Sequence, residues 1–303
     1  MNNIKTSVDI CGVVMKNPVT TASGTFGSGR EFSDFVDLNK LGAVTVKGVA
    51  SEPWKGNDSP RIAEVYGGML NSVGLQNPGA EYFIENDIPF LRQFDTRIIV
   101  NICGHSIEEY CRAAERLSEA DIDLFELNIS CPNVSEGGIT FGTVPSMAEK
   151  VVSEVKKYCK KPLIVKLTPN VTDITEIAKA AVSGGADALS LINTLLGMKI
   201  DIKRRKPVLA NKVGGFSGPA IKPVAVRMVY QVSKVVNVPV IGMGGIADYE
   251  DAIEFIMAGA AAVAVGTANF MNPFATVEIV DGIEKFMREN DIYDISDIRG
   301  IID

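Results

Sequence analysis

Polar residues and a cysteine follow the ends of short apolar segments in this chain of 303 residues. The clearest case is "LFELNISCPN" at 124–133, where an apolar run ends on Asn128 and Cys131 stands directly before Pro132. A cysteine with a purely structural role usually lies among apolar groups, whereas Cys131 has a polar sequence context. The pattern therefore indicates a thiol presented on a loop, and the proline fixes the backbone φ beside it.

The remaining cysteines and the single histidine indicate no metal chemistry. Cys11, Cys103, Cys111 and Cys159 are interpreted as small hydrophobic residues, and the chain has no C-x-x-C pair. This spacing predicts neither a disulfide framework nor a zinc or iron–sulfur site. His105 is the only histidine, which excludes a metal site with several histidine ligands, and we assign it no catalytic role.

Residues of three chemical kinds end the other apolar segments. Asparagine amides offer paired donors and acceptors, which suit a planar ring that carries amide and imide groups. Lysines supply positive charge for a carboxylate or an anionic cofactor, and glycine turns after the last two segments are typical of a phosphate site. Each such residue alone is more often a turn former or a solvated side chain, so the prediction depends on their convergence. The residues of these three kinds at the segment ends are Lys47, Gly48, Asn101, Asn128, Lys166, Asn193, Gly244, Gly245 and Gly266, and beside them stand Ser23, Ile192, Thr194 and Thr267.

Lys166 lies within the apolar segment "LIVKL" at 163–167. An unpaired ammonium group is costly in such a strand, so this side chain requires an anionic partner. The nearest carboxylate at a neighbouring strand end is Glu126, and the sequence does not determine which face it occupies. A bound anionic group is the simpler partner.

Eight short runs rich in apolar residues must position these side chains. Runs of this length are typical of parallel strands that are buried on both faces. Helical patterns lie between many of them, at 106–120, 146–161, 173–186, 219–236 and 248–260, and the first two begin with the capping-box pairs Ser106–Glu109 and Ser146–Glu149. The strand-like runs are 19–23, 42–47, 97–101, 124–129, 163–167, 188–193, 239–243 and 262–266.

This alternation predicts an α/β fold, a closed (β/α)8 TIM barrel, over the rival of a doubly wound open sheet, which normally has fewer strands. In such a barrel the active site forms at the carboxyl ends of the strands. The stretch 48–96 is rich in Gly, Pro and Asn and is predicted to be an elaborated loop over the barrel mouth. Residues 1–303 are therefore expected to form a single domain.

Composition narrows the possible partners and location. The net charge of −7 argues against nucleic acid as the main partner. No apolar run approaches the roughly 18 residues that a membrane span requires, and the first residues show no signal-peptide pattern. We expect a cytoplasmic protein that does not associate with membranes.

Several longer motifs follow one another along the chain. They are "TVKGV" (45–49), "NSVGLQNPG" (71–79), "NISCPNVSEGGITFGT" (128–143), "LIVKLTPN" (163–170), "SLINT" (190–194), "GGFSGPAIKP" (214–223) and "PVIGMGGI" (239–246). In this order they resemble the motifs of class 1 dihydroorotate dehydrogenases, and the similarity covers essentially the whole chain. The stretch "SEGG" at 135–138, after the Cys-Pro-Asn-Val run, resembles the 1B catalytic subunit in particular.

The resemblance implies a (β/α)8 barrel that binds FMN and oxidises dihydroorotate to orotate in pyrimidine (UMP) biosynthesis. It implies that Cys131 is the base that accepts the C5 proton, while the flavin accepts the C6 hydride. It implies substrate contacts from Lys47, Asn71, Ser72, Val73, Gly74, Leu75, Asn128, Asn193 and Thr194. It implies FMN contacts from Ser23, Lys47, Gly48, Asn101, Asn128, Lys166, Ile192, Gly218, Gly244, Gly245, Gly266 and Thr267.

Resemblance to the 1B form also implies a partner subunit. That subunit would carry FAD and a 2Fe–2S cluster and pass electrons to NAD+, in a heterotetramer of two catalytic and two partner chains that contains a homodimer of this chain. The chain itself has neither a C-x-x-C spacing nor a G-x-G-x-x-G fingerprint, so NAD is not expected to bind here.

Two other functions are open at this point. One is the fumarate-coupled 1A type of the same enzyme, which is a self-sufficient homodimer. The other is a barrel that binds a phosphate ligand without redox chemistry. Flavin colour in the purified protein distinguishes the second from both enzymes, and the preferred electron acceptor distinguishes the two enzymes from each other.

Overall fold

A computed structural model describes residues 4–130, 135–136 and 139–303 of the chain. The predicted catalytic residue Cys131 lies outside the described residues.

Eight parallel strands form the central sheet, and all eight predicted strands are confirmed. Around the sheet each strand lies beside the strands that precede and follow it in the chain, and the first strand lies beside the last. This is the topology of the predicted (β/α)8 barrel and not that of a doubly wound sheet. The strands are β1 (Val19–Thr21), β2 (Ala43–Thr45), β3 (Arg97–Ile102), β4 (Leu124–Asn128), β5 (Leu163–Lys166), β6 (Ala188–Leu191), β7 (Val240–Met243) and β8 (Ala262–Val265).

Threonine side chains close the barrel between β1 and β2. The Thr21 hydroxyl donates to the Thr45 carbonyl oxygen at 3.1 Å and accepts from the Thr45 N–H at 3.0 Å. The Thr20 and Thr45 hydroxyls lie 3.0 Å apart, and the Gly42 N–H donates to the Val19 carbonyl at 3.1 Å. These hydroxyls satisfy buried backbone groups where a regular strand ladder would otherwise do so.

Helices follow the strands, with boundaries close to those predicted. A π-helical turn, Phe83–Asp87, joins two of the short ones, and three 3₁₀ turns occupy Leu38–Lys40, Pro219–Ile221 and Ile295–Ile298. None of the helices in the described part of the chain is long and apolar enough to cross a membrane. The helices are Arg30–Ser33, Ala80–Tyr82, Ile88–Leu91, Ile107–Leu117, Pro145–Lys156, Ile174–Ser183, Lys222–Ser233, Tyr249–Met257, Ala268–Met271 and Ala275–Glu289.

The two predicted capping boxes have different outcomes. Ser106 caps its helix by accepting from the Glu109 N–H, but the Glu109 carboxylate accepts from the His105 N–H at 2.7 Å instead of completing the box. The prediction for Ser146 was wrong, because the helix begins one residue earlier, at Pro145. Proline suits the first helical position, where its missing N–H would have no partner.

The barrel interior changes from apolar to polar along the strands. At the amino ends, Ile99, Leu124 and Ile164 pack with a plug made by the hairpin Val8–Ile10 and Val13–Met15. Two residues further along each strand, the side chains on the same side are Asn101, Glu126 and Lys166. The sheet therefore carries its buried polar groups toward the carboxyl ends of the strands.

A second sheet of four antiparallel strands lies over that end of the barrel, and we call it the mouth sheet. Its strands, in spatial order, are Leu195–Met198, Val213–Ser217, Gly68–Asn71 and Ile62–Val65. The stretch 48–96 is therefore more structured than the predicted loop, since it supplies one hairpin of this sheet and the helical segment from Ala80 to Leu91. Two small hairpins complete the fold, Ile200–Asp201 with Lys206–Pro207 and Ser135–Glu136 with Ile139–Thr140.

Candidate active site

A cavity of about 650 Å³ lies between the carboxyl ends of the barrel strands and the mouth sheet. Every predicted cofactor-binding or substrate-binding residue lines it. The structure thus brings these residues together at one place, while their contacts with ligands stay predictions. They are Ser23, Lys47, Gly48, Asn71, Ser72, Val73, Gly74, Leu75, Asn101, Asn128, Lys166, Ile192, Asn193, Thr194, Gly218, Gly244, Gly245, Gly266 and Thr267.

Lys166 is at the end of β5, in register with Asn128 of β4 and Ser190 of β6. Its side chain is 4% exposed, and its Nζ lies 3.1 Å from the Ser23 hydroxyl oxygen. A hydroxyl satisfies one of the three ammonium hydrogens without neutralising the charge. The site therefore holds a buried positive charge against one wall of the cavity.

Lys47 extends beyond β2 toward Gly24, whose Cβ, if present, would lie 3.6 Å from the Lys47 Nζ. Burial lowers the pKa of Lys47 below its ordinary value. The Cys103 thiol acts in the opposite direction, and the positive charges of Arg61 and Lys166 lower the pKa further. An anionic ligand beside Lys47 would relieve this repulsion.

The amides of the site form one hydrogen-bonded series. Asn128 donates to the Asn101 Oδ1 at 3.5 Å and accepts, through its own Oδ1, from the Ser130 hydroxyl at 2.6 Å. The Asn193 Nδ2 donates to the same Ser130 oxygen at 2.5 Å. The Asn101 Nδ2 donates at 2.6 Å to the Glu126 carboxylate, behind the cavity wall.

Sequence reasoning left the facing of Glu126 undetermined. The register places Glu126 opposite Ile164, on the interior side of the barrel, where it is 2% exposed. Its second carboxylate oxygen accepts from the Ser190 hydroxyl at 2.7 Å. The alternation of apolar and polar residues along β4 is the signal that could have placed it.

Backbone geometry explains the glycines at the far end of the cavity. Gly218, Gly244 and Gly245 have φ values of 116°, 123° and 86°, which favour glycine. The N–H groups of Gly245, Gly266 and Thr267 have no acceptor within the described part of the chain. Such free N–H groups beside a helix N-terminus are typical of an anion site.

Lys222 fixes the position of the Gly244–Gly245 turn. Its Nζ donates to Asp251 at 2.6 Å and to Glu254 at 2.7 Å, and these bonds raise the pKa of Lys222. A Cβ on Gly245 would lie 2.8 Å from the Lys222 Cβ and 3.0 Å from the Gly218 carbonyl oxygen. The turn is therefore packed directly against the start of the helix Lys222–Ser233.

The mouth sheet and residues 72–75, which follow its strand Gly68–Asn71, form the other wall of the cavity. Ser72 has a buried hydroxyl oxygen with no hydrogen-bond partner in the described part of the chain. Sequence reasoning missed other lining residues, among them Ile62, Leu196 and Met271. They are ordinary apolar residues. The pairing of distant strands in the mouth sheet brings Ile62 and Leu196 to the cavity, and the short helix Ala268–Met271 brings Met271.

The single histidine lies elsewhere. The His105 ring stacks on Trp54 with 3.9 Å between ring centroids, and its Nδ1 is 3.1 Å from a Glu109 oxygen. It does not line the cavity.

Comparison with known proteins identifies the family. A family model described as "Dihydroorotate dehydrogenase" matches residues 5–287. The chain belongs to the dihydroorotate dehydrogenase family. The resemblance seen in the sequence motifs is thereby confirmed.

Relatives within the dihydroorotate dehydrogenase family match the chain over almost its full length. A protein of Alkaliphilus metalliredigens is 68% identical over 300 residues, which are 99% of each chain. One of Alkaliphilus oremlandii is 70% identical over 293 residues, 97% of each chain, and one of Petrotoga mobilis is 55% identical over 299 residues, 99% of this chain and 100% of that one. All three are named "Dihydroorotate dehydrogenase B (NAD(+)), catalytic subunit", in agreement with the predicted 1B type.

Proposed function

We propose that this chain is the catalytic subunit of an NAD-linked dihydroorotate dehydrogenase, which oxidises dihydroorotate to orotate in pyrimidine biosynthesis. The observation that carries the proposal is the cavity at the barrel mouth of a chain of this family. It gathers Lys47 and Lys166, the hydrogen-bonded amides of Asn101, Asn128 and Asn193, and a glycine-rich anion site. This set of groups suits an anionic planar substrate beside a phosphate-bearing cofactor.

The residues present fit FMN. The N–H groups of Gly245, Gly266 and Thr267, which have no acceptor in the described part of the chain, can donate to its phosphate, and Gly245 and Gly266 allow close backbone approach. Bound FMN would supply the acceptor for the two electrons that leave the substrate. The residues that would hold it are Ser23, Lys47, Gly48, Asn101, Asn128, Lys166, Ile192, Gly218, Gly244, Gly245, Gly266 and Thr267.

The chain's own residues position the substrate and move its proton. Lys47 would pair with the substrate carboxylate, while the amides of Asn128 and Asn193 hold the pyrimidine ring. The unpartnered Ser72 hydroxyl supports the assignment of Asn71, Ser72, Val73, Gly74 and Leu75, together with Thr194, to the substrate side. Cys131 would remove the C5 proton as a thiolate base. Lys166 would stabilise the negative charge that develops during the oxidation.

The relatives' name, a catalytic subunit of an NAD(+) enzyme, supports a partner through which electrons leave the site. This chain has neither a C-x-x-C nor a G-x-G-x-x-G pattern for a cluster or a dinucleotide of its own. We assign FAD and a 2Fe–2S cluster to that partner and place both chains in a cytoplasmic heterotetramer of two catalytic and two partner subunits. Residues 1–303 would form one domain in it, paired with a second copy.

Co-purification from native cells tests this proposal. We expect a yellow protein whose flavin absorbance bleaches when dihydroorotate is added without oxygen. We also expect a second subunit in the complex that supports reduction of NAD+ but not of fumarate. A colourless protein would contradict the enzyme assignment, and turnover with fumarate by the chain alone would indicate the 1A type.

A further inference from the structure

We propose that Glu126 is a positioning residue that sets the direction in which the Asn101 amide meets Asn128 and the ligands of the cavity. The inference rests on the proposed function, since those ligands are FMN and the pyrimidine. Glu126 does not line the cavity and takes no part in the chemistry described above.

The first step concerns the asparagine nearest to Glu126. An asparagine amide can turn by 180° and exchange its donor and acceptor ends with little change in shape. Asn101 is fully buried, and its Nδ2 lies 2.6 Å from the Glu126 Oε2. In the reversed amide, the Asn101 oxygen would face a carboxylate oxygen of Glu126 at this distance. Because the carboxylate can only accept hydrogen bonds, it excludes the reversed amide. The Asn101 Oδ1 must therefore face Asn128.

The second step concerns the amides that follow Asn101 in the series. Asn128 turns its Nδ2 toward Asn101, and its Oδ1 accepts from the hydroxyl and, at 3.3 Å, from the backbone N–H of Ser130. The Thr194 N–H donates to the Asn193 Oδ1 at 2.9 Å, which leaves the Asn193 Nδ2 to donate to Ser130. The backbone thus fixes the two later amides, and Asn101 takes its direction from Glu126.

The third step concerns the groups that remain for ligands. Asn128 and Asn193 each use one Nδ2 hydrogen within the series and keep a second. Both residues line the cavity, so the series presents N–H donors there. Donors of this kind suit the carbonyl oxygens of a pyrimidine ring.

The carboxylate is itself held by uncharged donors from two strands. Ser190 of β6 donates to its Oε1 at 2.7 Å, while Asn101 of β3 donates to its Oε2. The Ser190 bond lies on the side away from the amides. Loss of that bond should therefore leave the amide series in place, which makes Ser190 a matched control.

Three variants separate reach from direction. E126Q keeps the length of the side chain but carries a donor beside its acceptor, so its amide can pair with either direction of the Asn101 amide. E126D keeps the charge but is one methylene shorter, so its carboxylate withdraws from Asn101. S190A removes the hydrogen bond on the other oxygen. The folding of each variant is checked by thermal unfolding of the FMN-loaded protein and of the apoprotein.

The readouts are the Kd of orotate, from the flavin absorbance, and the Kd of FMN for the apoprotein, from fluorescence. We expect E126D to weaken orotate binding by about tenfold or more, because an unsatisfied buried donor lets the Asn101 amide turn and lose its contact with Asn128. Its KM for dihydroorotate should rise more than its kcat falls. E126Q should weaken binding by more than about threefold, because its amide pairs equally well with the reversed Asn101, whereas S190A should stay within about threefold of the wild type. Loss of FMN from E126D but not from S190A would equally support the role of Glu126.

Two results would overturn the role of Glu126. One is an E126D protein with a lower melting temperature but unchanged affinities, since Glu126 would then be only structural. The other is an E126Q protein with wild-type affinities, since a group that can only accept would then not be needed to direct Asn101; this test stands even where E126D does not fold. A wild-type protein that binds no orotate overturns the proposed function instead, and so the two failures are distinct.

Discussion

At the residue scale, the assignment of Cys131 as the base depends on the acidity of a thiol. A thiol ionises near pH 8.5 in model peptides, whereas a serine hydroxyl does not ionise in the accessible pH range. The assignment rests on the motif "NISCPN" at 128–133. Its first residue, Asn128, is the last residue of β4 and lines the cavity. The base is therefore expected within reach of the substrate that Asn128 holds.

Cys131→Ser should lower turnover of dihydroorotate at pH 7 by about 100-fold or more, because a positioned base contributes a factor of this order. FMN content should stay that of the wild type. The measurement is stopped-flow flavin reduction across a pH series. Cys111→Ser, which removes a thiol from the helix Ile107–Leu117, is the control. Unchanged reduction at every pH in the Cys131 variant would contradict its role as base.

Lys47 should make orotate binding sensitive to alkaline pH. Burial lowers the pKa of Lys47, so the ammonium is lost at a lower pH than for an exposed lysine. Because only the charged form pairs with a carboxylate, orotate affinity should fall as pH rises, beginning below the pH range in which an ordinary lysine loses its charge. Titration of the oxidised protein with orotate at a series of pH values measures the effect.

Lys47→Met provides the comparison for this pH dependence. Its orotate affinity should already be about tenfold or more lower at pH 7, because a charge-assisted bond is lost. The variant should lack the part of the alkaline fall that Lys47 causes. Ionisation of Cys131 affects both proteins alike, so identical pH courses would rule out Lys47 as the partner of the carboxylate.

At the element scale, the eight strands were predictable because both faces of each are buried and their sequences are short apolar runs. Lys166 of β5 pairs with Asn128 of β4 in the register of the two strands, so the two residues lie at the same level of the barrel. Their positions at the ends of their strands were enough to suggest this from the sequence. The mouth sheet was not predictable, since it pairs Gly68–Asn71 with Val213–Ser217, far away along the chain. The closure of the barrel by threonine hydroxyls between β1 and β2 was not predictable either, because hydrogen bonds from side-chain hydroxyls leave no periodic pattern in the sequence.

The glycine turn after β7 is the element whose backbone limits substitution most clearly. Gly245→Ala would combine a positive φ of 86° with contacts of 2.8 Å and 2.9 Å to Lys222 Cβ and N. The Lys222 side chain is held by Asp251 and Glu254, so it cannot move away freely. We expect the free energy of unfolding to fall by about 2 to 4 kcal/mol and FMN to dissociate more easily.

Gly12→Ala is a matched control for the backbone term alone. Gly12 has nearly the same φ, 85°, but nothing lies within 4 Å of the position of its Cβ. Its loss of stability should be only about 1 kcal/mol, with FMN retention unchanged. Equal losses in both variants, measured by urea unfolding, would show that crowding at the turn is unimportant.

At the scale of the whole molecule, the two ends of the described chain are joined at one place. The Lys5 N–H donates to the Tyr293 carbonyl at 2.7 Å, and the Ile295 N–H donates to the Lys5 carbonyl at 3.0 Å. The Lys5 Nζ also pairs with the Asp294 carboxylate at 2.7 Å. Asp294 in turn caps the turn Ile295–Ile298, so one carboxylate connects the first residues to the last helical turn.

This junction should weaken in acid. The hydrogen bond from Lys5, against the opposing effect of partial burial and together with bonds from Ser296, lowers the pKa of Asp294 to about 2. A lowered pKa means that the unfolded chain binds the proton more readily. The stabilisation is therefore complete above about pH 4 and is lost as pH falls toward 2. Because Lys5 is largely exposed, the effect should be below about 1 kcal/mol.

Asp294→Asn tests this reasoning, since the amide keeps an oxygen that can cap Ser296 but loses the charge. Between pH 6 and 3 the variant should lose less free energy of unfolding than the wild type, by up to about 1 kcal/mol. Urea unfolding at a series of pH values measures the difference. Asp58→Asn, at an exposed carboxylate in the stretch 48–96, should leave the acid dependence unchanged. If the Asp294 variant follows the wild-type curve throughout, the Lys5 pair contributes nothing to holding the two ends together.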